Sequence, residues 1–374
     1  MRFETLAVHA AFSVDPSTGA VSPPIHLSTT FGRDETGTPL AGHTYVRESS
    51  PTQDLLESAL AQLEGGEAAL VFGSGMAAGL AVVQALPPGS HVVLPEDVYY
   101  GYRVAARDFF PGWGLTATFA PLDRPGALAD SLRPETRVVW LESPSNPLLR
   151  VTDLAASAAI ARAAGALVVV DNTFATPALQ RPIALGADVV LHATTKGMGG
   201  HSDVQGGALV FARRDDFVEK VRHVRTILGA VSSPFNSWLV LRGLRTLAVR
   251  ATVQSETALA VATALAGNAA VSKVNYPGLV DHPGHEVARR QMSAFGSMIS
   301  FHVAAGREAA IRAVGRTRLF TRATSLGGVE SLVEHRATSE GAASTAPPDL
   351  VRLSVGLEHP EDLVADLEQA LAGG

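Results

Sequence analysis

The 374-residue chain has no cysteine. That excludes disulfides, thiolate metal sites and a cysteine nucleophile, and it fits a reducing compartment. Charge is also sparse: Asp, Glu, Lys and Arg make up 18% of the chain, and 30 basic against 36 acidic residues leave a net −6. With no basic stripe to follow a phosphate backbone, nucleic acid is not an expected partner. Glu4 and His9 interrupt the apolar stretch a secretory leader would need at the start, so a cytoplasmic location is expected. The longest run without Asp, Glu, Lys or Arg, Ala68 to Pro95, is broken by Gly73, Ser74, Gly75, Gly79 and Pro87-Pro88-Gly89. It reads as strand, loop, buried helix and strand, not as a membrane span. No metal is expected either: Asp281-His282-Pro283-Gly284-His285 lacks a further patterned ligand and reads as a loop opening a helix.

Apolar residues, by contrast, are plentiful at 46%. The length predicts two domains around sizeable cores. Seven short runs are continuously apolar: Ala69 to Phe72, Ser90 to Leu94, Leu115 to Phe119, Val138 to Glu142, Ala166 to Asp171, Asp188 to His192 and Ala208 to Phe211. Strands covered on both faces read this way, which predicts an α/β architecture with a mostly parallel seven-stranded sheet between helix layers. Long helical patterns fill residues 214 to 267. Two strand-like runs, SMISFHV and LVRLSV, follow with a helical segment at 306 to 315 and a final helix at about 360 to 372, giving a smaller C-terminal α+β domain. The expected divisions are 1–50, 51–235 and 236–374. The first 50 residues are turn-rich and too long for an idle loop, so they are expected to wrap another subunit. Thr338 to Pro348 reads as a mobile loop. Ser50-Pro51-Thr52-Gln53 fits a capping box, Thr152 is a candidate cap for a helix from Asp153, and Asp215 and Asp216 read as a solvated helix start.

Two features carry chemistry. Asp171 and Lys196 both follow predicted strands at ends facing the same side of the sheet, where open α/β sheets place their ligands. An aspartate can hold a pyridinium nitrogen protonated and a lysine can form a Schiff base, which together are the demands of pyridoxal phosphate (PLP). Taken alone, the pair equally suits a turn-capping Asp and an exposed Lys. The turn Phe72-Gly73-Ser74-Gly75-Met76, between a strand and a helix, offers free amides and a positive dipole end to a phosphate. It also satisfies G-x-G-x-x-A through Ala78, with Asp97 following 24 residues after Gly73 (97 − 73), so a dinucleotide-binding oxidoreductase remains open at this point.

Segments along nearly the whole chain carry a more specific signal, among them TYVRESSPT, FGSGMAA, LESPSNPLL, DNTFATPALQRPIALGADVVLHATTKGMGGHSDV, SLGGVESL and VRLSVGLEHPEDL. In this order they resemble the Cys/Met-metabolism (transsulfuration) PLP enzymes, which comprise cystathionine γ-synthase, γ-lyase and β-lyase and methionine γ-lyase. The resemblance implies a PLP-dependent aminotransferase-like fold (fold type I), a small amino-acid substrate, and a homotetramer built as a dimer of dimers. It makes Lys196 the Schiff-base lysine, Asp171 the pyridinium partner, and Tyr99 the ring over the cofactor and a proton donor or acceptor. Gly75, Met76 and Thr195 would hold the phosphate, while Tyr45 and Arg47 would reach that of a neighbouring subunit. Asn146, Ser325 and Arg352 would fix the substrate carboxylate or the cofactor phenolate.

SLGGVESL favours chemistry at the γ-carbon, and a γ-lyase releasing cysteine, 2-oxobutyrate and ammonia is the leading expectation, ahead of γ-synthase, methionine γ-lyase and β-lyase. Several departures set the substrate end apart: Ala193 where the family usually has Ser, Gly197 after the lysine, Thr44 in place of an acid, and His335-Arg336-Ala337-Thr338-Ser339-Glu340 in place of the usual His-Pro-Ala stretch. They also leave open a PLP-binding protein without catalysis. Glu330 or Glu48 is the expected receiver of a distal ammonium.

Overall fold

The structure, a computed structural model, describes residues 1–341 and 344–372. The first sheet contains β1 (Ala68–Phe72), β2 (His91–Pro95), β3 (Thr116–Ala120), β4 (Thr136–Glu142), β5 (Leu167–Asp171), β6 (Val189–His192) and β7 (Gly207–Phe211). Their order is β1-β7-β6-β5-β4-β2-β3. Only β7 runs antiparallel to its neighbours β1 and β6; the other pairs are parallel, as the seven apolar runs predict. Successive residues of one strand feed opposite cores. Val138 and Trp140 pack with Leu70, Phe72 and Val169, whereas Val139 and Leu141 pack with Leu60, Val71 and Val170 on the other face. This two-sided burial is why these strands do not alternate with polar residues. β3 is the exposed edge.

The parallel strands end on one side of the sheet. Glu142 and Asp171 stand opposite each other at the ends of β4 and β5, and Lys196 follows β6. The chain reverses its direction of growth between β2 and β4, which opens a crevice at those strand ends.

The second sheet has five strands: β8 (Val271–Asn275), β9 (Met298–Val303), β10 (Thr321–Arg322), β11 (Leu332–His335) and β12 (Leu350–Ser354), ordered β10-β11-β12-β9-β8. It packs against the helices Leu247–Ala266, Arg307–Arg316 and Pro360–Leu371. Sequence periodicity locates β9 and β12 only. β8 is half solvated around Ser272 and Lys273, β10 is two residues long, and β11 carries Glu334 and His335, so none reads as an apolar run.

Local signals hold in part. Ser50 Oγ accepts the Gln53 amide at 3.3 Å, but the Gln53 side chain donates to the Ser232 carbonyl, so the reciprocal half of the capping box is absent. Asp153, not Thr152, caps the helix Leu154–Ala163, because Thr152 is committed to Ser143. Asp215 caps the helix Asp216–Leu228. The expected loop from Thr338 begins inside a helix, Arg336–Glu340, and residues 342–343 of that loop lie outside the described residues. Among the described residues no helix is long and apolar enough to cross a membrane.

Candidate active site

At the crevice, Ser74 starts the helix Gly75–Gln84 and its Oγ accepts the Ala77 amide at 3.1 Å. The Gly75 and Met76 amides stand in the first turn with the positive end of the helix dipole behind them. A Cβ on Gly75 would lie 2.8 Å from the Ala193 Cβ, so glycine is what lets this helix start touch the loop after β6. Thr195 forms the opposite lip, its hydroxyl exchanging hydrogen bonds with the Gly206 carbonyl (3.1 Å) and amide (3.0 Å). Amides, dipole and hydroxyl make an anion cup.

Lys196 follows directly, and its Nζ donates to Ser325 Oγ at 2.7 Å. Ser325 itself adopts φ +90°, a left-handed backbone that a side-chain-bearing residue keeps only when its surroundings impose it. Burial, and secondly the Arg352 charge, lower the Lys196 pKa to about 8. The ammonium is therefore easily discharged near neutral pH.

Asp171 and Glu142 are two buried carboxyl groups side by side. Burial raises both, and Glu142 lies well above the usual range because Asp171 adds like-charge repulsion. Asp171 is favoured as the charged member: its Oδ1 accepts the Thr173 amide at 3.0 Å and His192 lies nearby. Glu142, the more strongly raised of the two, accepts the Tyr99 amide at 2.9 Å. The Tyr99 ring, partly exposed, meets Tyr102 edge-on at 6.1 Å, and the Tyr102 hydroxyl donates to the Gly75 carbonyl at 2.8 Å. The stacking tyrosine is thereby tied to the anion cup.

Arg352 projects from β12. It donates to Asn146 Oδ1 at 2.9 Å and to the Ser325 carbonyl at 3.2 Å, and it pairs with Glu334, its neighbour in register on β11. Glu334 pairs in turn with Arg336 at 3.1 Å. Full burial lowers the Arg352 pKa to about 10, and a charged guanidinium in such surroundings calls for a carboxylate partner.

These groups surround one cavity of about 630 Å³. Gly75, Met76, Tyr99, Asn146, Asp171, Thr195, Lys196, Ser325 and Arg352 all line it. Tyr45, Arg47 and Glu330 do not. The Arg47 guanidinium lies 5.4 Å from the Tyr45 ring centre and donates to the Thr226 carbonyl at 3.1 Å. Within the chain the Glu330 carboxylate accepts the Ser202 hydroxyl, and that of Glu48 accepts the Thr44 hydroxyl.

Residues 4–372 match the model of the Cys/Met metabolism PLP-dependent enzyme family. The chain belongs to this family. It is 48% identical over 373 residues to cystathionine γ-synthase of Mycobacterium tuberculosis, covering 98% of this chain and 96% of that protein. It is 42% identical over 381 residues to cystathionine γ-lyase of Bacillus subtilis, covering 99% of each. Its fold matches the solved cystathionine γ-synthase of Xanthomonas oryzae, in complex with aminoacrylate and cysteine, with TM-score 0.96, 44% identity and coverage of 100% of this chain and 98% of that one.

Membership makes this a PLP-dependent transsulfuration enzyme of fold type I acting on amino acids. It overturns both the dinucleotide reading and the reading of a PLP-binding protein without catalysis. Asp97, the expected ribose acceptor of the former, is engaged by Ser145 and lies 3.8 Å from Arg150. The cavity suits PLP: a helix-start cup for phosphate, a buried carboxyl group for a pyridinium, and a lysine of lowered pKa between them. Sequence reasoning missed Glu142, Arg336 and Glu340 as cavity groups, and Glu334 as the carboxylate that joins Arg336 to Arg352. A glutamate closing an apolar strand in LESPSNPLL was the available signal for Glu142. The other three depend on a register between β11 and β12 that no local pattern reveals.

His282 and His285 serve their own loop. His282 Nδ1 accepts the Gly284 amide at 3.0 Å and His285 Nδ1 lies 2.8 Å from the Pro277 carbonyl oxygen. The described residues hold no cluster of three or more His, Asp or Glu placed for a metal.

Proposed function

We propose that this enzyme catalyses γ-replacement: it joins the four-carbon skeleton of an O-acylated homoserine to the sulfur of L-cysteine, giving L-cystathionine and the free carboxylate. The observation that carries this reading is the 48% identity to cystathionine γ-synthases over nearly full length, against 42% for the γ-lyase. SLGGVESL, which favours chemistry at the γ-carbon, suits a γ-synthase as well as a γ-lyase.

The residues divide the work. Gly75 and Met76 amides and Thr195 would hold the cofactor phosphate, Tyr99 would cover its ring, and Asp171 would serve its pyridine nitrogen. Bound there, PLP supplies an electron sink for the pair left at Cα and so opens the γ-carbon to loss of its substituent. Arg352 takes the substrate α-carboxylate in a bidentate fork, with Asn146 and Ser325 fixing its orientation. Lys196, once free, is the base for the Cα proton, since a pKa near 8 leaves enough neutral amine for the task. Tyr99 is placed to give or take the proton at the departing group. The raised pKa of Glu142, set by burial and the neighbouring Asp171, disfavours a second negative charge beside Asp171.

The segment 1–50 supports an assembled active unit. Val14, Val21, Leu27 and Leu40 are each at least 60% exposed, too much apolar surface for a free arm. The reading places Tyr45 and Arg47 at the phosphate of a neighbouring subunit, with two such dimers in a tetramer; residues 51–235 then form the cofactor domain and 236–374 the domain that carries Arg352. The deciding experiment supplies O-acetyl- or O-succinyl-L-homoserine with L-cysteine and quantifies L-cystathionine and 2-oxobutyrate by mass spectrometry, with Lys196→Ala as the blank. Cystathionine is the expected main product. Faster release of 2-oxobutyrate from cystathionine than formation of cystathionine would return the enzyme to the lyases.

A further inference from the structure

Arg336 and Glu340 stand one turn apart on the helix Arg336–Glu340, and both line the cavity into which Lys196 opens. They occupy the stretch 335–340 in which this sequence departs from the family pattern. The Arg336 side chain is 9% exposed and that of Glu340 11%, with Nε and Oε1 2.8 Å apart. This Nε–H is ion-paired but lies outside hydrogen-bonding geometry, and Glu334 Oε2 is also buried without a hydrogen bond. A buried donor whose hydrogen bond is unmade at a cavity wall is a costly arrangement that a ligand can complete.

The position relative to Arg352 gives the wall its meaning. Arg352 and Arg336 share Glu334, so the wall stands one carboxylate away from the group assigned to the α-carboxylate of the first substrate. Beyond it, a recess of about 280 Å³ shares Tyr100, Asn146 and Glu340 with the main cavity. There is thus room for the far end of a longer molecule.

A lone distal anion at this wall meets Arg336 but is repelled by Glu340, and a lone cation meets the reverse. A carboxylate and an ammonium on one carbon atom meet a complementary charge each. We infer that Arg336 and Glu340 form the receptor for the zwitterionic end of a second amino acid, the cysteine to be joined or the far end of cystathionine. This rests on the γ-replacement reading for the identity of the ligand, and the wall's chemistry is read separately from turnover. A side chain at position 336 thereby sets which nucleophile is admitted.

The test uses the PLP-loaded enzyme and two ligands of similar length, L-cystathionine and S-propyl-L-homocysteine, which lacks the distal zwitterion. Initial changes in cofactor absorbance give both dissociation constants. Wild type is expected to favour cystathionine by about tenfold or more, the scale of one charge-assisted contact. Arg336→Gln and Glu340→Gln should each bring the ratio near one while leaving S-propyl-L-homocysteine binding in place, a control that also reports intact folding. An unchanged ratio in both variants overturns the inference. So does an Arg336→Gln enzyme that loses affinity for O-succinyl-L-homoserine, which has a lone distal carboxylate, more than for cystathionine. Failure of the γ-replacement reading shows elsewhere, as absence of cystathionine synthesis by wild type.

Discussion

On one side of the cavity, Asp171, Lys196 and the Gly75–Met76 turn are held on the ends of strands buried on both faces. On the other, Arg352, Glu334, Arg336 and Glu340 form a chain of alternating charges on a smaller sheet and a five-residue helix. The first wall owes its geometry to backbone and close packing, so its chemistry is all or none. The second owes its properties to which charges face each other, so a substitution there retunes the substrate and not the cofactor.

The sharpest break in that comparison is Lys196→Ala. Turnover should fall by about a thousandfold or more, and the visible absorption of the bound cofactor should vanish, because no other amine lines the cavity. Retained absorption and turnover would move the lysine role elsewhere. Next in size is Arg352→Ala, which should raise the KM for the acylated homoserine by about a hundredfold while cofactor loading persists. It also leaves Glu334 with one cationic neighbour fewer, so denaturation should show a loss on the order of 3–5 kcal/mol.

A third measurement crosses between the walls. The Lys196 pKa is depressed to about 8, so the reactive neutral amine gains population as pH rises through 8, where half of it is neutral, and levels off about one pH unit higher. The rate of PLP loading into cofactor-free protein, followed by stopped-flow absorbance, should rise and then level accordingly. Removing the Arg352 charge should move that inflection upward. The smallest expected change is Ala193→Ser: a hydroxyl added at the phosphate cup should tighten PLP binding about three- to tenfold, the net worth of one ordinary hydrogen bond. Equilibrium dialysis checks it, and weaker binding would mean that the close contact of residue 193 with Gly75 excludes the extra atom.

The same division explains what could be read in advance. Seven buried strands, the helix start at Gly75 and the strand-end positions of Asp171 and Lys196 are local patterns, so the cofactor wall was legible. Nine of the twelve named residues meet at one cavity. The contact of Glu330 with Ser202, across 128 residues, has no local signal. Arg336 was noticed only as an irregularity. Its meaning comes from the pairing of Glu334 with Arg352, a cross-strand register that spacing along the chain does not encode.

The place of β1 in the large sheet has a consequence for synthesis. Within its sheet β1 pairs with β7, whose last residue follows Phe72 by 139 positions (211 − 72), and Phe72 also bridges to Val231. On a ribosome adding about 5–20 residues per second, β1 and the helix start behind it wait on the order of ten seconds for their partner. The two lips of the phosphate cup, Gly75 after β1 and Thr195 before β7, therefore first meet when that late pairing closes. Capture of PLP by a nascent chain would mark the moment at which the sheet is complete.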